Sequence, residues 1–106
     1  MSLFSSLFAR PDHTDSVRTA LANGGVIVDV RGPHEFAGNH IPGAVNIPHD
    51  QIGRQLKQIG PTSRPVVVYC RSGARSSMAK GVLERNGYTN VIDVGGIGSF
   101  PRAALN

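Results

Sequence analysis

Residues 66–77 read VVVYCRSGARSS, a β-branched run that ends in the only cysteine of the chain and continues into small, polar and basic residues. The apolar run 66–69 is typical of a strand buried on both faces of a parallel sheet. Residues 76–85 contain good helix formers and end at Asn86-Gly87, which is a helix-stop pair. The pattern therefore predicts that Cys70 lies at a strand-to-helix turn.

This turn favours a cysteine thiolate. The unpaired amides and the dipole at a helix start stabilise negative charge, and Arg71 and Arg75 add two positive charges. Because the thiolate is the nucleophilic form of cysteine, we interpret Cys70 as a candidate nucleophile. The alternative is a cysteine that only fills a core position. Two arginines, a glycine and three serines in the next seven positions argue against that alternative.

The length of 106 residues suits one compact domain, with 40% of residues hydrophobic. We assign residues 12–106 to that domain and residues 1–11 to an N-terminal segment. Leu3, Phe4, Leu7 and Phe8 have helical spacing, so the segment is expected to form a short amphipathic helix. It lacks the features of a signal peptide, and one cysteine cannot form an internal disulfide. We expect a cytoplasmic protein without a transmembrane segment.

The charge balance favours small anions as ligands. The chain has 11 Lys+Arg against 7 Asp+Glu, a formal net charge of +4. The basic residues are scattered and there is no Trp, so nucleic-acid binding is not expected. The four histidines lack the spacing of metal ligands, so no metal site is expected either.

A second buried-strand pattern occurs at residues 26–31, which read VIVDVR. Two such runs, each followed by a helical pattern, predict parallel strands whose carboxyl ends meet at one edge of a sheet. Asp29 and Arg31 should therefore lie at the same edge as Cys70. We interpret Asp29 as a structural carboxylate that holds loop amides or an arginine, and Arg31 either as its ion-pair partner or as an anion contact. Helices are further predicted over residues 15–22, 33–36 and 50–58, a short strand within 40–48 and another over 90–94.

Four motifs, in this order, resemble the rhodanese-like sulfurtransferases between about residues 14 and 100. They are Asp29-Val30-Arg31 followed by Glu35-Phe36, HIPGAVNIP at 40–48, CRSGARS at 70–76, and Gly95-Gly96 with Phe100 four positions later, where the family usually has Trp. The resemblance implies an α/β fold with a five-stranded parallel sheet flanked by helices on both faces. It also implies a rhodanese-type thiosulfate:cyanide sulfurtransferase that needs no cofactor.

In such an enzyme Cys70 takes a sulfane sulfur from thiosulfate or a similar small anionic donor, becomes a persulfide and passes the sulfur to cyanide or a thiol. The loop that would hold the sulfur comprises Arg71, Ser72, Gly73, Ala74, Arg75 and Ser76. Its backbone amides are expected to hold the terminal sulfur. Arg71 is expected to meet the donor at the mouth, Arg75 to brace the loop, and Asp29 and Arg31 to support it.

Two other functions remain alternatives. Tyrosine phosphatases and arsenate reductases also use a cysteine at such a turn, but four residues separate Cys70 from Arg75 where those phosphatases have five, and Tyr69 replaces their histidine. A phosphate needs a wider loop than one sulfur atom, so the shorter loop favours sulfur transfer. A sulfur-carrier or regulatory module that delivers sulfur to a protein partner has the same loop, and the sequence does not separate it from the enzyme.

Overall fold

The computed structural model describes residues 12–106, so the helix predicted within residues 1–11 lies outside the described residues. Three α-helices and four strands follow in the order α1 (Thr14–Ala22), β1 (Val26–Asp29), α2 (Pro33–Gly38), β2 (Val45–Asn46), β3 (Val66–Cys70), α3 (Ala74–Arg85) and β4 (Val91–Gly96). Short 3₁₀ turns cover Ile52–Arg54, Leu56–Gln58, Ile97–Ser99 and Arg102–Leu105. None of the helices within this part of the chain is long and apolar enough to cross a membrane.

The strands form one parallel sheet in the order β2-β1-β3-β4. The prediction of five strands is wrong for residues 12–106, which contain four. The fifth strand came from the family resemblance, whereas this part of the sequence has only four strand-forming runs, each of which became a strand. The parallel arrangement and the α/β class are confirmed, and β1 and β3 occupy the two central positions.

The segment between β2 and β3 differs from its prediction. Residues 50–58 form two 3₁₀ turns instead of one α-helix. Gly53 lies at the centre of the first turn, where an added Cβ would sit 3.3 Å from Val82 of α3. Glycine disfavours a regular helix, and the tight packing on α3 suits the short turns observed. Ile52 and Ile59 of this segment are nevertheless fully buried.

Helix α3 begins at Ala74, two residues before the predicted start. Its buried side chains are Ser76, Ala79 and Leu83, whereas Met78 is 60% exposed. The earlier start brings the first turn of the helix directly under the end of β3, which shapes the site described below.

The core consists of one cluster on each face of the sheet. Every residue of β1 and β3 is buried, as the apolar runs predicted. Alternate side chains point to opposite faces, so Val66, Val68 and Cys70 join the cluster beneath α3. Val67 and Tyr69 join the other cluster, with α1 and the C-terminal turn. The carboxyl ends of β1 and β3 pair in register, with Asp29 opposite Tyr69, and this edge holds the candidate site.

Candidate active site

Cys70 is the last residue of β3 and is 1% exposed. Its Sγ accepts a hydrogen bond from the Gly73 backbone N–H at 3.0 Å and lies 3.5 Å from the Ser76 hydroxyl oxygen. The chain reaches this geometry because Gly73 has a φ of +111°, a left-handed conformation that favours glycine. The turn folds the first amides of α3 back toward the sulfur.

Ser76 lies in the first turn of α3 and is fully buried. Its hydroxyl donates to the Gly73 carbonyl oxygen at 3.0 Å and also contacts Cys70 Sγ. Two neighbours, Ser72 and Ala74, are exposed. Within the loop, then, the Ser76 side chain is buried, whereas Arg71, Ser72 and Ala74 are exposed.

The surroundings of Cys70 lower the pKa of its thiol. Burial on its own raises this pKa, because it disfavours the charged form. Hydrogen bonds from the Ser76 hydroxyl and from the backbone at Ser76, Gly73 and Ser72 stabilise the thiolate and outweigh burial. The net pKa lies below the ordinary value of 9.0. A larger fraction of thiolate at neutral pH makes the sulfur a better nucleophile.

The glycine pair Gly95-Gly96 at the end of β4 allows the loop to pack closely. Gly96 pairs with Cys70 across the sheet. An added Cβ on Gly96 would lie 2.6 Å from the Arg71 carbonyl oxygen and 3.4 Å from Ser72 Cα. Any side chain at this position would push the loop away, so β4 fixes the loop from the side.

The two arginines of the loop have different environments. Arg75 forms a two-pronged ion pair with Glu35 of α2, with N–O distances of 2.7 Å and 3.1 Å. This pairing and the Gly32 amide lower the pKa of Glu35 to about 2. Arg71 is exposed, and within residues 12–106 its side chain makes no hydrogen bond or ion pair. Arg75 is thus held in place while Arg71 is available to a ligand.

Asp29 and Arg31 form a buried ion pair, with Arg31 Nη2 2.7 Å from Asp29 Oδ2. The other Asp29 oxygen accepts from the Arg31 backbone N–H at 2.9 Å. Tyr69 donates its hydroxyl to Asp29 Oδ2 at 2.8 Å, and the same hydroxyl accepts from the Ile41 N–H at 3.0 Å. Asp29 therefore binds Arg31 and the Tyr69 side chain of β3. These contacts fit the structural role that we favoured for Asp29 from the sequence.

Sequence reasoning missed two partners in this region. Glu35 was noted only as part of a family motif, and its pairing with Arg75 spans forty positions of the chain. Opposite charge was the one signal available, and several acidic residues shared it. The hydrogen bonds of the Tyr69 hydroxyl to Asp29 and Ile41 were also missed. Strand alternation indicated only that Tyr69 lies on the face of the sheet opposite to Cys70. Within residues 12–106 no group of three or more His, Cys, Asp or Glu is arranged to hold a metal ion.

Fold and loop together define a parallel α/β protein with a low-pKa cysteine at the start of a helix. The chain belongs to the rhodanese-like domain family, whose model matches residues 13–100. It is 42% identical over 81 residues to a sulfurtransferase of Allochromatium vinosum, covering 76% of this chain and 75% of that protein. It is 37% identical over 71 residues to the thiosulfate sulfurtransferase PspE of Escherichia coli, covering 66% and 68%.

A solved structure described as a rhodanese with anions from Escherichia coli superimposes with a TM-score of 0.68 at 34% identity, covering 72% of this chain and 91% of that one. Other relatives are longer. The match covers 55% of the uncharacterized protein YqhL of Bacillus subtilis, at 41% identity. It covers 36% of the putative sulfur carrier protein YrkF of the same organism, at 34% identity. The family is therefore clear, and its members carry more than one functional name.

Proposed function

We propose that this protein is a sulfurtransferase that moves a sulfane sulfur from thiosulfate, or a similar small anionic donor, to cyanide or a thiol through a persulfide on Cys70. The observation that carries the proposal is the contact of the Gly73 N–H with Cys70 Sγ at 3.0 Å, in a loop whose amides converge on one sulfur atom. The names of two relatives, sulfurtransferase and thiosulfate sulfurtransferase, support it.

In the first step, the Cys70 thiolate attacks the outer sulfur of thiosulfate. A bond forms between Sγ and that sulfur, the S–S bond of thiosulfate breaks, and sulfite leaves with the bonding electron pair. Arg71 suits the task of binding the donor, because its guanidinium is exposed beside the loop and has no partner among residues 12–106. A guanidinium pairs well with oxyanions such as the sulfonate end of thiosulfate.

In the second step, cyanide or a thiolate attacks the outer sulfur of the persulfide, and the Cys70 thiolate leaves. The acceptor meets the added sulfur, which lies one S–S bond of about 2.05 Å further out than Sγ. The amides of Ser72, Gly73 and Ser76 stabilise the thiolate as it leaves.

The size of the loop argues for sulfur over phosphate as the transferred group. The Gly73 amide contacts Sγ directly, and the Ser76 hydroxyl lies within 3.5 Å of the same atom. These two hydrogen-bond donors of the loop therefore already contact Cys70 Sγ. A phosphoryl group would need several amides for its own oxygens, as helix starts that bind phosphate provide.

The test is the intact mass of the protein after treatment with thiosulfate, with and without later cyanide. We expect the wild type to gain the mass of one sulfur atom and to lose it with cyanide, which becomes thiocyanate. Cys70→Ala is expected to gain nothing. No gain in the wild type, or an equal gain in Cys70→Ala, would contradict the proposal.

A second candidate is a carrier that hands the sulfur to a protein thiol, which the name of the relative YrkF supports. Both functions share the loading step and differ in the second step. Discharge of the loaded protein by cyanide and small thiols at a rate that sustains turnover favours the enzyme. Stable persulfide that small thiols discharge only slowly favours the carrier.

A further inference from the structure

The end of strand β4 contains one residue more than the end of β3 beside it. Asp93 of β4 pairs with Val68 of β3. The pair that follows is Gly96 with Cys70, so β4 advances by three positions where β3 advances by two. The extra residue forms a β-bulge, which bends the bulged strand and changes the direction of its end. Because of this bulge, Gly96 rather than Gly95 lies opposite Cys70.

The half-buried side chain of Asp93 stabilises this bulge. Its Oδ1 accepts a hydrogen bond from the Gly95 backbone N–H at 2.9 Å. Gly95 has a φ of +81°, which is a left-handed conformation that favours glycine. A bulge interrupts the hydrogen-bond ladder between strands, and the carboxylate supplies an acceptor for the displaced amide. Asp93 therefore fixes the backbone conformation of Gly95.

The bulged end of β4 lies directly against the Cys70 loop. A Cβ added to Gly73 would lie 3.8 Å from Gly95 Cα. A Cβ added to Gly96 would lie 2.6 Å from the Arg71 carbonyl oxygen. Gly73 is also the residue whose backbone N–H donates to Cys70 Sγ at 3.0 Å. A shift of the β4 end would therefore allow this amide to move away from the sulfur that it stabilises.

We propose that Asp93 is a positioning residue for sulfur transfer: through the bulge at Gly95, it holds the loop in the conformation in which the Gly73 N–H donates to Cys70 Sγ. This inference rests on the proposed sulfurtransferase function. The hydrogen bond from Gly95, and not the negative charge, is the property of Asp93 that acts on the loop. The reactivity of Cys70 should therefore depend on this bond, whereas binding of thiosulfate, which we assign to Arg71, should not.

The first test compares Asp93→Ala with Asp93→Asn. Alanine removes the acceptor of the Gly95 N–H, whereas the amide oxygen of asparagine keeps an acceptor and removes only the charge. We expect Asp93→Ala to raise the pKa of the Cys70 thiol, measured from thiolate absorbance against pH. At a pH below the pKa of both thiols, loading with thiosulfate should slow roughly fivefold, because one hydrogen bond to the thiolate is weakened. The KM for thiosulfate should not change, and Asp93→Asn should behave as the wild type does.

A second pair of variants tests the bulge itself. Gly95→Ala adds a Cβ that meets no atom within 4 Å, so it acts only through the strain of a left-handed backbone. Gly24→Ala is the matched control, because Gly24 has a φ of +79° and equally open space. Gly24 precedes β1 and so lies at the opposite edge of the sheet from Cys70. Both variants should lower the melting temperature to a similar extent, but only Gly95→Ala should raise the pKa of the Cys70 thiol and slow loading.

The outcomes separate this inference from the proposed function. If the wild type does not load with sulfur, the sulfurtransferase function fails, and the role of Asp93 in that reaction fails with it. If the wild type loads, and Asp93→Ala and Gly95→Ala lose only thermal stability while the pKa of the thiol stays the same, the inference is wrong and the function stands. An equal effect of Asp93→Ala and Asp93→Asn would also overturn the inference, because the charge of Asp93 rather than its hydrogen bond would then act on Cys70.

Discussion

At the scale of single residues, the hydroxyl of Ser76 has one proton and two acceptors within reach. It donates to the Gly73 carbonyl oxygen at 3.0 Å, while Cys70 Sγ lies 3.5 Å away. When Cys70 is a thiol, its S–H can donate to Ser76 and leave that bond intact. When Cys70 is a thiolate, rotation of the hydroxyl lets Ser76 donate to the sulfur instead. Ser76 thus accommodates both charge states of Cys70.

Ser76→Ala is expected to raise the pKa of the Cys70 thiol, because it removes a hydrogen bond that stabilises the thiolate. At neutral pH the thiolate fraction falls, and loading with thiosulfate should slow roughly in proportion. The pKa is measured from the ultraviolet absorbance of the thiolate against pH. The loading rate is measured by mass spectrometry.

Ser77→Ala is the control for this prediction, since Ser77 is the exposed neighbour of Ser76 on the same helix turn. It is expected to leave both the pKa and the loading rate unchanged. An unchanged pKa in Ser76→Ala would mean that the backbone amides alone set the charge state of Cys70.

At the scale of elements, the pair of Glu35 and Arg75 connects α2 to the first turn of α3. The Glu35 side chain also accepts from the Gly32 N–H at 3.1 Å, which fixes it at the start of α2. Both side chains of the pair are about one-third exposed, at 35% and 29%, so solvent screens part of their attraction. The contact positions the start of α3 more than it stabilises the whole fold.

The pH dependence of stability follows from the pKa of Glu35. Because that pKa is about 2 in the folded protein, below its ordinary value of 4.5, the pair stabilises the fold fully above pH 4.5. The stabilisation is lost as the pH falls through about 2. Glu35→Gln should lower the melting temperature at neutral pH by a few degrees at most, and this difference from the wild type should shrink across that window. Thermal unfolding followed by circular dichroism measures it.

High salt provides the control for Glu35→Gln, because screening should reduce the same difference at neutral pH. A difference that neither acid nor salt changes would mean that Glu35 stabilises the fold by packing, and the ion pair would then contribute nothing measurable.

Predictions of elements from the sequence succeeded where the signal was local. The buried runs of β1 and β3, the helix after Cys70 and the short helix at Pro33 all depend on neighbouring residues, and all were confirmed. The prediction of one helix over residues 50–58 was wrong, because apolar residues at helical spacing also fit two 3₁₀ turns packed on α3. For the candidate site, the loop 70–76 was apparent from its residue types. The partner of Arg75 and the partners of the Tyr69 hydroxyl lie on chain segments that come together only on folding.

At the scale of the whole molecule, a buried polar network behind the Cys70 loop joins three separate parts of the chain. The Tyr69 hydroxyl of β3 bonds Asp29 of β1 and the Ile41 amide that precedes β2. The Tyr69 ring packs edge-on against Phe100, with ring centres 5.8 Å apart. Burial, together with the bond to Asp29, raises the pKa of Tyr69 to about 12, so the hydroxyl keeps its proton and remains a donor.

Tyr69→Phe removes this hydroxyl and leaves the buried Ile41 N–H without its acceptor. Because an unsatisfied buried donor costs the full penalty of desolvation, we expect the free energy of unfolding to fall by roughly 1–3 kcal/mol. Loading of Cys70 should stay near the wild-type rate, since Tyr69 and Cys70 point to opposite faces of the sheet. Urea denaturation and the mass assay measure the two effects.

Tyr88→Phe is the matched comparison, because the Tyr88 hydroxyl donates to the Gly60 carbonyl oxygen and no backbone N–H depends on it. Tyr88→Phe should lower the free energy of unfolding by about 1 kcal/mol, which is less than the loss expected for Tyr69→Phe. Equal losses of unfolding free energy in the two variants would mean that the Tyr69 hydroxyl adds no special stability by linking β1, β3 and the segment before β2. A marked fall in the loading rate of Tyr69→Phe alone would mean that the network also positions Cys70, so that the two faces of β3 act together.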